Sequence, residues 1–295
     1  MFRPNRLKRL LREKRPARGA WLFMGSPAVT EALAPLGFDA LIIDHEHSPG
    51  GLETAIHQMR AMAGTGTTIL ARLSDNHPAP VRHLLDAGAE GLLAANLDSA
   101  DAADRLVKAT RYPPNGIRGA HYTVSRASGW GAWSWEVAEF GEAETLTIGL
   151  IESVKGVDAI PEMAKVPGLD MLLIGPLDLS ISVGVPGHYD APAFKAVLDA
   201  AERRILEAGL ALGGTTLPGL SAETTLIKLD LAGVALSSGS ACSSGKVKRS
   251  HVLTAMGVDP VMSAGALRAS LGWTTCEQEI DLFLAAYAAV PGPCR

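Results

Sequence analysis

Acidic, basic and imidazole side chains stand in this sequence at the ends of apolar runs, where a folded chain turns back toward solvent. Residues 39–44, DALIID, run into Asp44, His45, Glu46 and His47. Residues 67–73 carry Arg72, residues 146–153 carry Glu152, and residues 171–176 lead through a Gly-Pro turn to Asp178. Burying this many ionisable groups without a use for them would be costly. Glu152 and Asp178 lie one β/α unit apart, and neighbouring parallel strands are about 4.8 Å apart. Their carboxylates can therefore converge on one cation. Two carboxylates, with water and a chelating substrate to complete the shell, describe a Mg²⁺ or Mn²⁺ site. Either carboxylate could instead cap the next helix or pair with Arg72.

His45 and His47 flank Glu46, which raises zinc, but they are two residues apart and no third His or Cys stands nearby at ligand spacing. On an extended segment, positions i and i+2 share a face. That would put His45 and His47 on one side and Asp44 and Glu46 on the other, unless a turn breaks the pattern. A histidine oriented by an acid is a good general base; ordinary hydrogen bonding is the alternative. A different kind of candidate is Cys242, in ALSSGSACSSGKVKRSH (235–251), where Ser and Gly surround the thiol and Lys246, Lys248 and Arg249 come after it. Such a cysteine is either a nucleophile or, as free cysteines usually are, a packing residue.

These groups need a scaffold. Eight strand-like apolar runs lie between residues 19 and 239, separated by segments with helical spacing such as PAFKAVLDAAERRILEAG. Alternating β and α units of this kind form a parallel sheet buried on both faces. Eight units fit a (β/α)8 TIM-type barrel, whose catalytic groups gather where strands end. A doubly wound sheet is the alternative, but no G-x-G-x-x-G comes after the first strand. One connection, residues 98–145, is long and carries Trp130, Trp133 and Trp135. It suits a functional loop or a subunit interface equally.

The chain has 295 residues, 47% hydrophobic and 20% charged, with net charge −4. No broad basic field favours nucleic acid. The basic stretch RPNRLKRLLREKRPAR near the start suits a short helix packed on the barrel, rather than one lying on a membrane. No run is long enough to span a bilayer and no signal peptide is evident, so the expected location is cytoplasmic. The cysteines, Cys242, Cys276 and Cys294, all fall late in the chain, and their odd count argues against a disulfide framework.

FDALIIDHEHSP, ARLSDNHPAPVRHLLDAGAEGLL, RYPPNGIRG, GLIESVKGVDAIPEM and LDMLLIGPLDLSISVGVPGHY together resemble the HpcH/HpaI-type metal-dependent pyruvate aldolases, over about residues 5 to 214. That family is a (β/α)8 barrel, hexameric, that cleaves 4-hydroxy-2-oxoacids to pyruvate or a related 2-oxoacid and an aldehyde. The resemblance implies that Glu152 and Asp178 ligate the metal. It implies that His47 is a base acting through a metal-bound water, with Asp44 as its partner. Arg72 would stand beside the carbonyl and enolate oxygens, and Asp86 would support this network. Arg72 with Gly175, Pro176 and Leu177 would bind substrate. Two positions depart from the pattern. His45 stands where Gly is common, and Leu150 stands where some members carry a Gln toward the substrate carboxylate.

From about residue 216 the likeness changes. The stretch that begins LPGLSAETTLIKLDLAGVALSSGSACSSGKVKRSH and runs on to about residue 290 resembles the C-terminal segment of a NifS-type cysteine desulfurase. In that family Cys242 would accept sulfur. The pyridoxal phosphate domain that such chemistry needs is not in the sequence, so no pyridoxal phosphate is expected. The organisation read here is an aldolase-like barrel of seven β/α units over 1–215 and a desulfurase-like segment over 216–295, joined near Gly213 to Thr216. In the favoured arrangement residues 233–239 supply strand eight and close the barrel; in the other the tail forms its own small lobe.

The expected function is therefore a divalent-metal-dependent carbon–carbon lyase acting on a small 2-oxoacid and an aldehyde, as a homo-oligomer without nucleic-acid or membrane partners. The alternatives are a Schiff-base aldolase using Lys155, a sulfur acceptor using Cys242, and a non-catalytic chimera with a broken barrel.

Overall fold

The computed structural model describes residues 4–74, 77–214, 237–238, 267–268 and 277–289. Its backbone divides into two compact units, residues 1–215 and 216–295. In the first, seven parallel strands run in sequence order: β1 (Gly19–Leu22), β2 (Ala40–Asp44), β3 (Thr68–Arg72), β4 (Gly91–Ala94), β5 (Leu146–Ile151), β6 (Met171–Ile174) and β7 (Ala211–Gly214). Helices separate them: α1 (Arg6–Arg12), α2 (Pro27–Leu33), α3 (Leu52–Ala61), α4 (Pro78–Ala87), α5 (Ala100–Thr110), α6 (Ser134–Glu144), α7 (Val154–Met163), α8 (Pro176–Ser182) and α9 (Pro192–Glu207). Local chemistry starts these helices. Ser26, Ser99 and Ser153 each accept a backbone N–H of the first turn, and Gly88, at φ +112°, ends α4 in the left-handed region.

The result is a parallel half-barrel of the TIM type. Alternate strand residues face inward, where Ala40, Ile42, Leu70, Leu93, Leu146, Ile148, Leu150 and Leu173 form one buried cluster with Trp21 and Met171 packed against it. Leu41, Ile43, Leu92 and Leu172 take the opposite register and are wholly buried on the outer face.

The basic N-terminal stretch forms α1, and it does more than lie on the surface. Leu7 enters the inner cluster from the N-terminal ends of the strands. Asn5 donates to the carbonyls of Glu90 and Glu144, and the Leu7 N–H reaches Thr68 Oγ1 at 3.1 Å. The Lys8 ammonium is buried against Asp170 at 3.0 Å. This plug closes the end of the barrel opposite the ionisable groups.

The expected eighth strand is not found where the structure describes it. Ser237–Ser238 (β8) pairs antiparallel with Leu267–Arg268 (β9) in a separate two-stranded sheet. Among the described residues the seven-stranded sheet consists of β1 to β7 alone. The second unit also contains helix α10 (Glu277–Ala289). Residues 233–236 and 239, and all three cysteines, lie outside the described residues. No described helix is long and apolar enough to cross a membrane.

Candidate active site

The inward register that builds the core continues past it into polar residues. On β2 the series Ala40, Ile42 ends in Asp44; on β3, Leu70 is succeeded by Arg72; beyond β5, Leu150 is succeeded by Glu152; beyond β6, Leu173 is succeeded by Gly175. The site is the top layer of the barrel interior, set directly on the apolar layers below it. Leu150, one of the two departures, belongs to the buried layer beneath Glu152.

Asp44 and Arg72 are paired across the strand register. The guanidinium grips the carboxylate with two bonds, Nε to Oδ1 at 2.9 Å and Nη2 to Oδ2 at 2.6 Å. Its Nη1 lies 3.0 Å from Glu46 Oε2, and its plane sits 4.9 Å from the centre of the Trp21 ring. The Asp44 side chain is 0% exposed and that of Arg72 8%. Burial opposes ionisation of Asp44, but the Arg72 hydrogen bonds and the N–H groups of Glu46 and His47 outweigh it and hold the carboxyl below its ordinary range. Burial likewise opposes the charge on Arg72, and Asp44, Glu46 and Glu152 more than restore it. Both groups are ionised at neutral pH.

Asp44 also turns the chain. Its Oδ1 accepts the N–H of Glu46 at 2.9 Å and of His47 at 3.2 Å, an Asx turn. The extended alternation of DHEH stops there. Glu46 swings back to Arg72, and the His47 imidazole projects into solvent, 68% exposed, with Nε2 3.9 Å from Glu46 Oε1. The acid facing the His47 ring is thus Glu46, while Asp44 holds His47 by its backbone. His45 stays on the strand ladder, its N–H bonded to the Arg72 carbonyl at 3.1 Å. Burial lowers its imidazole below the ordinary value, with Asp44 pulling the other way.

Glu152 is fixed from two sides. Its Oε2 accepts the Asn96 N–H at 2.8 Å, from a residue at φ +46°. Its Oε1 would lie 2.7 Å from a Cβ on residue 175, so any larger residue there would have to displace the Glu152 side chain. Burial raises the Glu152 carboxyl above its ordinary range, and the Asp178 and Glu46 carboxylates add to the effect; Asn96 and Arg72 oppose it. Asp178 lies in the first turn of α8, after Gly175 and Pro176. Glu46 and Glu152 therefore face an arginine already engaged by Asp44, and the Asp178 carboxylate acts on Glu152. Two oxygen donors such as Glu152 and Asp178, with water and a chelating ligand to complete the shell, are of the kind a hard divalent cation takes. Among the described residues no cluster of three or more His, Cys, Asp or Glu has metal-holding geometry, so DHEH forms no zinc-type cage there.

Asp86 stands apart. It is eight residues into α4 from Pro78, roughly 12 Å along the helix axis, and its Oδ1 takes Arg118 Nη2 at 2.7 Å. Arg118 in turn stacks on Tyr112 at 4.8 Å. Within the chain Asp86 supports that cluster rather than Arg72. Lys155, in the first turn of α7, is 72% exposed and ion-paired with Asp98 at 2.7 Å. A further cavity of about 800 Å³, lined by Met59, Arg118, Trp130, Trp133 and Val137 among others, adjoins the N-terminal strand ends and contains none of Asp44, Arg72, Glu152 and Asp178.

The HpcH/HpaI aldolase/citrate lyase family pattern matches residues 18–241. The chain belongs to that family. Among its relatives, the 4-hydroxy-2-oxo-heptane-1,7-dioate aldolase of Shigella sonnei is 36% identical over 209 residues, covering 71% of this chain and 79% of the relative. The hydroxypyruvate/pyruvate aldolase of Agrobacterium fabrum is also 36% identical, over 212 residues, covering 71% and 78%. An HpcH/HpaI aldolase/citrate lyase family structure from Burkholderia cenocepacia is 34% identical, with a TM-score of 0.68 over 71% of this chain and 84% of that one. Relatives with different substrates in their names are equally similar, so overall identity does not choose between them. The family match also continues past Gly213 to Thr216, where the sequence motifs predict a change of resemblance, and ends at residue 241.

Sequence reasoning missed Trp21 and Asn96, and placed Glu46 at the strand end without its contact to Arg72. Trp21 sits inside an apolar run and reads as core; its signal is the inward register, two residues before the exposed aromatic Phe23. The Glu46 contact was hidden by the Asx turn. Asn96 acts through its backbone, which side-chain chemistry does not reveal.

Proposed function

We propose that this HpcH/HpaI family member is a divalent-metal-dependent aldolase that cleaves a 4-hydroxy-2-oxoacid to pyruvate, or a related 2-oxoacid, and an aldehyde. The observation that carries the reading is the buried Asp44–Arg72 pair set beside Glu152 and Asp178 at the barrel mouth. In the cleavage, the 4-hydroxyl gives up a proton, the C3–C4 bond breaks, and its electron pair becomes the enolate of the 2-oxoacid. The aldehyde leaves, and a proton returned to C3 completes the product.

This chain's own groups divide that work. Arg72, held in one orientation by Asp44, offers a fixed positive charge where enolate charge develops. His47, at the mouth beside Glu46, would take and return the proton. Glu152 and Asp178 would hold Mg²⁺ or Mn²⁺, with the Gly175–Pro176–Leu177 turn forming the wall beside them. When bound, the cation supplies Lewis acidity and a template for the 2-oxoacid. The surface ion pair of Lys155 with Asp98 gives no support to a Schiff-base route. Exposed Trp130 and Trp135, at 71% and 74%, support a homo-oligomer. Residues 216–295 are assigned no step, and Cys242 none.

The test is pyruvate release from a panel of 4-hydroxy-2-oxoacids by chelator-treated protein with Mg²⁺ or Mn²⁺ restored. Release should require the cation and vanish in Glu152→Gln and Asp178→Asn. Full activity of either variant, or full activity in chelator, would overturn the proposal.

A further inference from the structure

Resting on the aldol reading above, we infer that the aldehyde handled by this site carries an apolar chain and no carboxylate of its own. The first observation is a line of ring contacts. Arg72 stacks on Trp21, and Trp21 stacks on Phe23 with ring centres 5.6 Å apart and planes within 5° of parallel. This line leads from the buried cation at the bottom of the site to its rim. There Phe23 is 52% exposed and Met24 69%. On the β6 side of the same strand ends, Leu177 immediately precedes Asp178, and Ile181 lies one helical turn further along the same face. These two are 53% and 52% exposed. Large apolar side chains left in water around a polar centre mark a surface that something apolar covers.

The second observation is charge. Among the described residues, the loops after β1 to β6, with the first turns of the helices they lead into, hold one lysine and no arginine. That lysine is Lys155, whose ammonium is 2.7 Å from Asp98. Arg72 is engaged by Asp44 and Glu46. Burial keeps the His45 imidazole below its ordinary pKa, and the His47 ring faces Glu46. A carboxylate at the far end of the aldehyde would meet no free lysine or arginine among these residues. Glu46, an acceptor already paired with Arg72, offers it no partner. Such a group is rejected by the loss of its hydration. An alkyl chain bears no such cost, and exposed Phe23 and Leu177 each offer it apolar surface.

The experiment uses the whole chain, loaded with Mg²⁺, in the direction of aldol addition to pyruvate. Aldehydes are compared in pairs of equal length, one ending in a methyl group and one in a carboxylate, with kcat/KM for product formation as the readout. The methyl-ended member should be preferred by roughly tenfold or more, and kcat/KM should rise from acetaldehyde to pentanal. Phe23→Ala and Leu177→Ala should each reduce the pentanal-to-acetaldehyde ratio by roughly tenfold. Because both aldehydes are measured on the same variant, a change in folded fraction cancels from that ratio. An equal or higher kcat/KM for the carboxylate-ended aldehydes overturns the inference, as does a ratio unmoved in both variants. Deuterium uptake at the pyruvate methyl group, measured with no aldehyde present, separates the two levels. Uptake with the wrong aldehyde preference defeats this inference alone; no uptake with any divalent metal defeats the aldol reading beneath it.

Discussion

Replacing Asp44 by Asn keeps the shape of the buried pair and removes half its charge. The Arg72 side chain is 8% exposed, and its two bonds to Asp44 are 2.9 and 2.6 Å. Breaking a buried ion pair from one side costs about 3–5 kcal/mol, because the remaining charge is left uncompensated. Glu46 at 3.0 Å and the Trp21 ring stay in place, so the lower end applies, about 3 kcal/mol. In a domain of this size that lowers Tm by roughly 6–12 °C. The assay is thermal and urea unfolding in chelator, so that metal binding does not contribute, for Asp44→Asn, Arg72→Met and the double variant. The double variant should be less destabilised than the sum of the singles, with coupling of about 2 kcal/mol. The pH dependence has a definite sign. The folded Asp44 carboxyl titrates below its ordinary 3.8. The wild-type advantage is therefore complete above that value and disappears as pH falls through the lower folded value. An Asp44→Asn variant within about 0.5 kcal/mol of wild type, or strictly additive singles, would refute the claim that this pair organises the mouth.

Three more outcomes rest on the same geometry. His47→Ala should lower turnover by about 10²–10⁴-fold and far more than His45→Ala; steady-state rates showing equal losses would mean that the projecting imidazole is not the base. His45, whose folded value lies below 6.5, is protonated more readily when unfolded, so stability should fall as pH drops from 6.5 through the folded value. His45→Gln should flatten that slope in urea titrations between about pH 5 and 7, the range in which histidine changes charge. Gly175→Ala would place a Cβ 2.7 Å from Glu152 Oε1, so calorimetric titration with Mn²⁺ should show affinity lost by at least roughly tenfold, the scale seen when a ligand's supporting contact is removed, while far-UV circular dichroism is retained.

Much of this site was legible because a parallel strand in a barrel exposes its chemistry at one end. DALIID ends in Asp44, TTILARL carries Arg72 and LTIGLIES carries Glu152, and the apolar residues two positions earlier locate each on the inner face. What stayed hidden is non-local or backbone-borne. Alternation along DHEH could not foresee that the Asp44 carboxylate would capture two N–H groups and bend the segment, moving Glu46 onto Arg72. Trp21 looks like core because one of its faces is core. Resemblance places Asp86 near Arg72, but the length of α4 carries it to Arg118. Residues 233–239 have the apolar content of a closing strand, yet pairing depends on which backbone edge is at hand, and Ser237–Ser238 pairs with Leu267–Arg268.

The measurement that tests the central claim most directly is proton exchange at the pyruvate methyl group in D₂O, monitored by proton NMR with chelator-stripped protein. It reads enolate formation alone and needs no knowledge of the aldehyde. The account predicts exchange that appears when Mg²⁺ or Mn²⁺ is added and is lost in Glu152→Gln, Asp178→Asn and Arg72→Met. Exchange that proceeds equally in chelator, or that survives loss of either carboxylate, would contradict it.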